Sequence, residues 1–448
     1  MIHKYSLNGY NIVIDVASGA VHVMDELSFT ILDDAESMGR DDVISKYSGK
    51  YEAADIGEAY DEIHQLVDGG ILFSEDTYQG VRGHSNDEPI IKSMCLNIAH
   101  DCNLTCDYCL AGTGGFGRDR SLMSAEVGKC AIDFLVSRSG ERPVVEVDFF
   151  GGEPLMNLDA VKEIVSYARG LETKSGKKFR FTITTNGTLL NDEYIAFINK
   201  EMSNVVLSID GRPSVNDKFR KFAGGRGTYD KIIDKYKKLV QSRTGDYYVR
   251  GTFTKDNLDF AEDVEFLYNQ GFDQISVEPV VVDSDLPYAI TEEDLPAIFD
   301  EYERLAKKII EWKKAGSGIN FFHFKIDLDG GPCAVKRVKG CGRGSEYVAV
   351  TPEGDIYPCH QFVGMDDWKM GSVLTGQTDG KARDEFAHAD MYSCNECRGC
   401  WARFYCGGGC WANNALYAGG VYNPLYVSCA MQKKRIECAI MMKAAAGR

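Results

Sequence analysis

The sequence of 448 residues carries 50 Lys and Arg against 67 Asp and Glu, a formal net charge of −17, with 44% hydrophobic residues and 15 cysteines. Such a length buries a large core and, at roughly 100–200 residues per domain, accommodates two to four domains. The excess of acids excludes functions that rest on neutralising nucleic-acid phosphates. No apolar run reaches the ~18 residues of a membrane span, and the opening Met1-Ile2-His3-Lys4-Tyr5-Ser6-Leu7-Asn8 lacks the apolar core and cleavage site of a signal peptide. The expectation is a cytoplasmic protein with no nucleic-acid and no membrane partner.

In chain order, Tyr10–Val16 and Gly19–Met24 read as short strands around a Ser-Gly turn, and Ile56–Val67 as a helix stopped by Asp68-Gly69-Gly70. They outline a winged-helix-like module over residues 1–80, which the turn-rich linker 81–91 joins to a longer α/β region. Residues 1–90 hold 18 Asp and Glu against 5 Lys and Arg, which points this module at protein or peptide and away from DNA.

Residues 92–320 alternate apolar, β-branched runs with amphipathic stretches. Strands are expected at Met94–Ala99, Val144–Phe150, Phe181–Thr185, Val205–Asp210, Tyr248–Thr254 and Gln274–Pro279. Helices are expected at Ser124–Ser137, Leu158–Leu171, Asp192–Lys200, Tyr229–Ser242 and Phe260–Gln270. Six βα units with near-continuously apolar strands imply an α/β fold with a parallel sheet covered by helices; periodicity leaves open whether the sheet is flat or a partial barrel. Residues 325–448 are rich in Gly, Cys and aromatics, with helical period only at Leu425–Lys443, so metal clusters are expected to hold this region together.

Cytosolic thiols are more often metal ligands or catalysts than disulfides. Here they have two addresses: Cys102, Cys106 and Cys109, and ten cysteines between Cys333 and Cys438. The first is a Cys-x3-Cys-x2-Cys loop directly after the first strand of the βα series. Three thiolates on one loop can hold three irons of a [4Fe–4S] cluster and leave the fourth iron open; a zinc knuckle lacks a nearby fourth ligand. Gly151-Gly152-Glu153-Pro154 ends the second strand, where two glycines admit a ligand close to the backbone and Glu153 offers an anion to an ammonium. Thr185-Asn186-Gly187-Thr188 and Ser208-Ile209-Asp210-Gly211 end the third and fourth strands, where ligands collect in parallel α/β folds.

With these motifs, residues ~92–440 resemble the radical S-adenosylmethionine superfamily, whose cluster loop also places an aromatic residue where Tyr108 stands. The resemblance implies a partial (β/α)6 barrel and a cofactor site drawn from Tyr108, Gly151, Gly152, Glu153, Asn186, Ser208, Asp210 and Arg220. The last lies in Asp217-Lys218-Phe219-Arg220 and has a guanidinium suited to the cofactor carboxylate; a solvated helix charge is the alternative. Cys341, Gly354, Cys359, Cys397-x2-Cys400-x5-Cys406-x3-Cys410 and Cys429 are similar to the SPASM domain appended to radical enzymes that modify peptides. Carried over position by position, the pattern gives Cys397, Cys400, Cys406 and Cys429 to one auxiliary [4Fe–4S] cluster and Cys341, Cys359 and Cys410 to another, making three clusters with S-adenosyl-L-methionine as cofactor. Cys333 or Cys394 is an eighth ligand, or one iron stays open to a substrate thiolate; zinc ribbons share the same ligand chemistry. Cys95, Cys130 and Cys438 read as small core residues.

The whole arrangement resembles maturases of small cysteine-rich SCIFF precursor peptides. That implies a 5′-deoxyadenosyl radical which activates an acceptor carbon, and a thioether from a cysteine sulfur to that carbon. The precursor's leader would dock as an added strand on residues 1–80, and a flavodoxin- or ferredoxin-type protein would supply electrons. The alternative outcomes are Ser or Cys oxidation as in sulfatase maturation, a carbon–carbon crosslink, or a non-catalytic zinc-ribbon adaptor. No residue announces itself as catalytic base; His323, His360 and Asp327 are the nearby titratable groups.

Overall fold

The computed structural model describes residues 1–79, 90–328, 338, 340–378 and 380–447; most of the linker at 81–91 and the candidate ligand Cys333 lie outside the described residues. The chain opens with a small antiparallel sheet of order β1-β2-β3, formed by Ile2–Leu7 (β1), Tyr10–Asp15 (β2) and Val21–Met24 (β3). β1 adds a strand to the two read from the sequence; its mixed burial gave only a weak alternation. Three helices come next, Glu26–Ser37 (α1), Arg40–Tyr47 (α2) and Ala53–Asp68 (α3), and close a separate core around Val13, Ile31, Leu32, Val43, Ile56 and Ile63. Asp25 starts α1 by accepting the Ser28 amide at 2.7 Å, which satisfies a donor the helix leaves open.

The βα series comprises β4 (Ser93–Ala99), α4 (Ala125–Arg138), β5 (Val144–Gly151), α5 (Leu158–Ser175), β6 (Lys178–Thr185), α6 (Asp192–Glu201) and β7 (Asn204–Ser208). It continues with α7 (Pro213–Phe219), α8 (Tyr229–Gln241), β8 (Asp246–Phe253), α9 (Phe260–Asn269), β9 (Gln274–Pro279), α10 (Leu295–Lys314) and β10 (Asn320–Phe321). Strands β4 to β10 pair in parallel in that order. Each side chain of β4 is buried, as a strand covered on both faces requires, and Ser124 caps α4 through the Val127 amide at 3.2 Å. Two helices, α7 and α10, were not read from the sequence.

The cysteine-rich region joins the same sheet. Tyr347–Val350 (β11) pairs in parallel with β4, and Asp355–Tyr357 (β12), Gly371–Ser372 (β13) and Gln377–Thr378 (β14) extend it in antiparallel fashion. The sheet is therefore unclosed, because the free edge of β4 is taken by β11. After Gly380–His388 (α11) come single turns at Asn395–Arg398 and Arg403–Cys406, then Trp411–Tyr417 (α12) and Tyr426–Ala445 (α13). The last helix packs on α10 and on β1, where Tyr5 Oη donates to Glu437 O at 3.0 Å and His3 Nε2 lies 2.9 Å from Glu437 Oε1. No helix among the described residues is long and apolar enough to cross a membrane.

Candidate active site and cysteine groups

The C-terminal ends of β4 to β9 face one cavity of about 270 Å³, whose wall includes Cys102, Cys106, Cys109, Gly152, Asn186 and Arg220. Strand ends that surround a common cavity require a curved sheet; a flat one would set β4 and β9 far apart.

The cysteine loop sits over the glycine turn at the end of β5. A Cβ on Gly152 would stand 2.1 Å from Asp101 O, and one on Gly151, at φ +119°, 2.4 Å from Ala99 O; only glycine lets the two backbones meet so closely. Asn186 tethers the loop from β6: its Nδ2 donates to Asn103 Oδ1 at 2.9 Å and reaches Cys102 Sγ at 3.8 Å. The Leu104 amide donates to Cys102 Sγ at 3.4 Å. Burial pushes the Cys102 thiol up to about 12 and Cys106 to about 11, so both are neutral until a bound cation offsets their charge. Among the described residues no three His, Cys, Asp or Glu side chains converge on one ion position, and thiolates that each hold a different iron need not. Soft thiol donors, amide groups aimed at one sulfur and a cavity beside them fit an iron–sulfur cluster and a ligand on its open face.

Of the cofactor contacts read from the sequence, Tyr108, Gly151, Gly152, Asn186, Ser208 and Arg220 line this cavity, whereas Glu153 and Asp210 do not. Glu153 is fully buried and its carboxylate accepts Leu155 N at 2.9 Å, Thr185 Oγ1 at 2.8 Å and Asn186 N at 2.7 Å. It ties the end of β5 to the end of β6, and burial raises it to about 7. Asp210 is likewise committed to protein groups: Oδ1 accepts Arg220 Nε at 2.9 Å and Thr252 N at 3.0 Å, and Oδ2 accepts Tyr108 Oη at 2.6 Å. Both carboxylates thus bond protein groups behind the wall. Among the described residues Arg220 bonds Asp210 through Nε, which leaves its two terminal nitrogens for an anion in the cavity; the solvated-charge reading of Arg220 fails because its side chain is 12% exposed.

Sequence reasoning missed Arg250, Glu278 and Gln361 on this wall and named His360 only as a nearby titratable group. Arg250 and Glu278 pair through two bonds, at 2.7 and 3.2 Å; burial opposes ionisation of Glu278, but Arg250 holds it down at about 2. Burial lowers His360 to about 4 and His323 to about 3, and His323 hydrogen-bonds Ser276 at 3.1 Å. No motif marked these residues.

The second address resolves into two groups by mutual electrostatic influence. Cys359 and Cys410 each feel Cys341, and Cys359 also feels Cys410. Separately, Cys397 feels Cys394, Cys406 and Cys429, while Cys406 and Cys429 feel Cys400. Cys394 lies three residues before Cys397, at the start of the turn that holds it. Burial raises Cys359 and Cys429 to about 12. Chain neighbours of the first group line the cavity: His360 and Gln361 come directly after Cys359, Gln361 Nε2 donates to Cys410 Sγ at 3.4 Å, and Asn413 and Tyr417 of α12 are on the same wall. Cys95 and Cys438 are buried and Cys130 half-buried.

Residues 96–267, which hold the cysteine loop and most of the parallel sheet, match the model of the Radical SAM superfamily. Among relatives, the chain is 29% identical over 190 residues to an uncharacterized protein of Methanocaldococcus jannaschii, spanning 42% of this chain and 62% of that one. It is 24% identical over 306 residues to a cysteine-type anaerobic sulfatase-maturating enzyme of Clostridium novyi, 63% of this chain and 77% of that one. Among solved structures, anSMEcpe with bound AdoMet superposes at TM-score 0.65 and 19% identity, covering 80% of this chain and all of that one. Streptococcus suis SuiB bound to precursor peptide SuiA superposes at TM-score 0.55 and 17% identity, covering 95% of this chain and 98% of that one.

Proposed function

We propose that this chain is a radical S-adenosylmethionine maturase that joins a cysteine sulfur to a carbon of a ribosomally made, cysteine-rich precursor peptide. The carrying observation is that the cavity lined by Cys102, Cys106 and Cys109 is also lined by His360 and Gln361, which follow Cys359, and that Gln361 hydrogen-bonds Cys410. When bound at the first group, a reduced [4Fe–4S] cluster with S-adenosylmethionine supplies hydrogen abstraction from an unactivated carbon. The chain's own residues orient and enclose. Arg220 receives the cofactor carboxylate, held in place by Asp210; Gly151 and Gly152 bring backbone up to the ligand; Asn186 fixes the cysteine loop; Leu104, Phe150, Val280 and Val281 keep the wall apolar. Cys341 and Cys410 are exposed, so a substrate thiolate can reach an open iron held there. Cys397, Cys400, Cys406 and Cys429 are read as the ligands of a further cluster, and electrons as coming from a flavodoxin- or ferredoxin-type donor.

Residues 1–80 are read as the leader-recognition module. β3 is an edge strand, its outer side without a strand partner among the described residues, whereas β1 is covered by α13. A groove of about 460 Å³ runs along β3 between α3 and α13, lined by Val21, Val23, Met24, Glu62, Leu66 and Ile440, as strand addition with side-chain pockets requires. The SuiB structure contains a precursor peptide, and its likeness spans this module. The likeness to the Clostridium novyi enzyme carries the second reading, oxidation of a Cys or Ser in a sulfatase.

Anaerobic reconstitution, then reaction with S-adenosylmethionine, dithionite and candidate peptides, tests the proposal. Three clusters give about twelve irons per chain, and a thioether lowers the peptide mass by two hydrogens without a new aldehyde. Zinc without sulfide and no 5′-deoxyadenosine refutes the enzyme; an aldehyde on a sulfatase peptide refutes the thioether.

A further inference from the structure

We propose that Arg343 sets the reduction potential of the site at Cys341, Cys359 and Cys410, its buried guanidinium favouring the reduced and more negative form; this rests on reading those cysteines as cluster ligands. Arg343 is 3% exposed, and the chain ties it to a sequence neighbour of each of the three thiols. Cys341 precedes it by two positions. The next amide, Gly344 N, donates at 3.0 Å to Pro358 O, immediately before Cys359. The guanidinium carbon lies 4.2 Å from the ring centroid of Trp411, immediately after Cys410. Phe386 supplies a second aromatic face at 5.4 Å, and Nη2 donates to Ala389 O at 2.9 Å. Arg343 is therefore clamped in one place by packing and not swung in on a flexible stem.

A cation over aromatic faces, away from solvent, acts more strongly on nearby charge than a surface cation does. A thiolate-ligated site gains one negative charge on reduction by one electron. A fixed cation beside it stabilises that added charge, and Arg is the residue that keeps its proton there. The cation thus raises the tendency of the site to take up an electron from whatever reductant reaches it, without itself changing protonation.

The test uses the full chain with Cys102, Cys106 and Cys109 replaced by alanine, reconstituted anaerobically, with redox titration followed by electron paramagnetic resonance. Iron and sulfide counts on this parent come first: if no cluster forms at Cys341, Cys359 and Cys410, the functional reading fails and Arg343 is not reached. With the cluster present, Arg343→Gln lowers one of the two remaining potentials. The expected loss is about tenfold or more in the reduced-to-oxidised ratio at fixed potential, ~59 mV per tenfold for one electron. Arg343→Lys retains the charge and stays within about threefold of the parent. The spectrum reports only loaded protein, so a lower yield of folded variant does not alter the reading. Should Arg343→Gln take up no cluster at this site, Arg343→Lys decides: a parental potential supports the proposal and a displaced one overturns it. An unchanged potential in Arg343→Gln, or an equal drop in both variants, also overturns it.

Discussion

Replacing Asp210 with alanine tests whether the cavity-lining Arg220 is held by a buried clamp. Asp210 is fully buried and its two oxygens accept three bonds, from Arg220 Nε, Thr252 N and Tyr108 Oη, at 2.9, 3.0 and 2.6 Å. In Asp210→Ala the Arg220 guanidinium stays beside the Tyr108 ring, 5.6 Å from its centroid, with no anion, and the Thr252 amide and Tyr108 hydroxyl lose their acceptor. Removing one member of a buried ion pair costs about 3–5 kcal/mol. The orphaned neutral donors overlap with that figure and do not add to it fully. At ~2–4 °C per kcal/mol for a domain of this size, melting falls by roughly 6–20 °C. Asp210→Asn retains the shape and the acceptor for Arg220 and Thr252, so its loss is smaller, about 1–3 kcal/mol. Anaerobic scanning calorimetry of the metal-free chain measures both, and calorimetric titration of the reconstituted chain with S-adenosylmethionine reports the displaced Arg220 as weaker binding. An Asp210→Ala chain that melts within ~2 °C of the parent would refute the clamp.

Three further outcomes are expected. Burial, then Glu146, raises Asp148 to about 6 from 3.8; a carboxyl with a raised folded value favours folding below its unfolded value and loses that contribution as pH rises through the folded one. Asp148→Asn therefore gains about 2–3 kcal/mol over the parent at pH 8 and nothing near pH 4 in urea titrations, and a pH-independent difference would contradict the assignment. Gly152→Ala drives a Cβ into Asp101 O, costs about 1–3 kcal/mol and lowers iron loading at Cys102, Cys106 and Cys109, whereas Gly170→Ala on α5, with open space around it, gains about 0.5–1 kcal/mol. A precursor peptide that adds a strand to β3 slows amide hydrogen exchange at Val21–Met24, and mass spectrometry showing no new protection there sinks the docking reading.

Local patterns along the chain were enough to place the elements and most of the chemistry-bearing residue types. Near-continuous apolar, β-branched runs marked β4 to β9, amphipathic stretches marked α4, α5, α6, α8 and α9, and Ser124 marked the start of α4, because these signals lie within a few residues of chain. The cysteine loop and the glycine turn were legible for the same reason: ligand spacing on a single loop is a local property. β1 was missed because its burial alternates weakly, and α7 because Pro213 opens a helix of only seven residues. Which polar groups face the cavity, by contrast, is settled only by long-range packing. Glu153 and Asp210 look like ligands in sequence, yet each is consumed by partners 33 and 102 residues away, at Asn186 and Tyr108. The same packing brought His360 and Gln361 to the cavity, with β11 paired to β4. A buried acceptor takes whichever donors the completed fold brings within about 3 Å, and no local pattern along the chain records that distance.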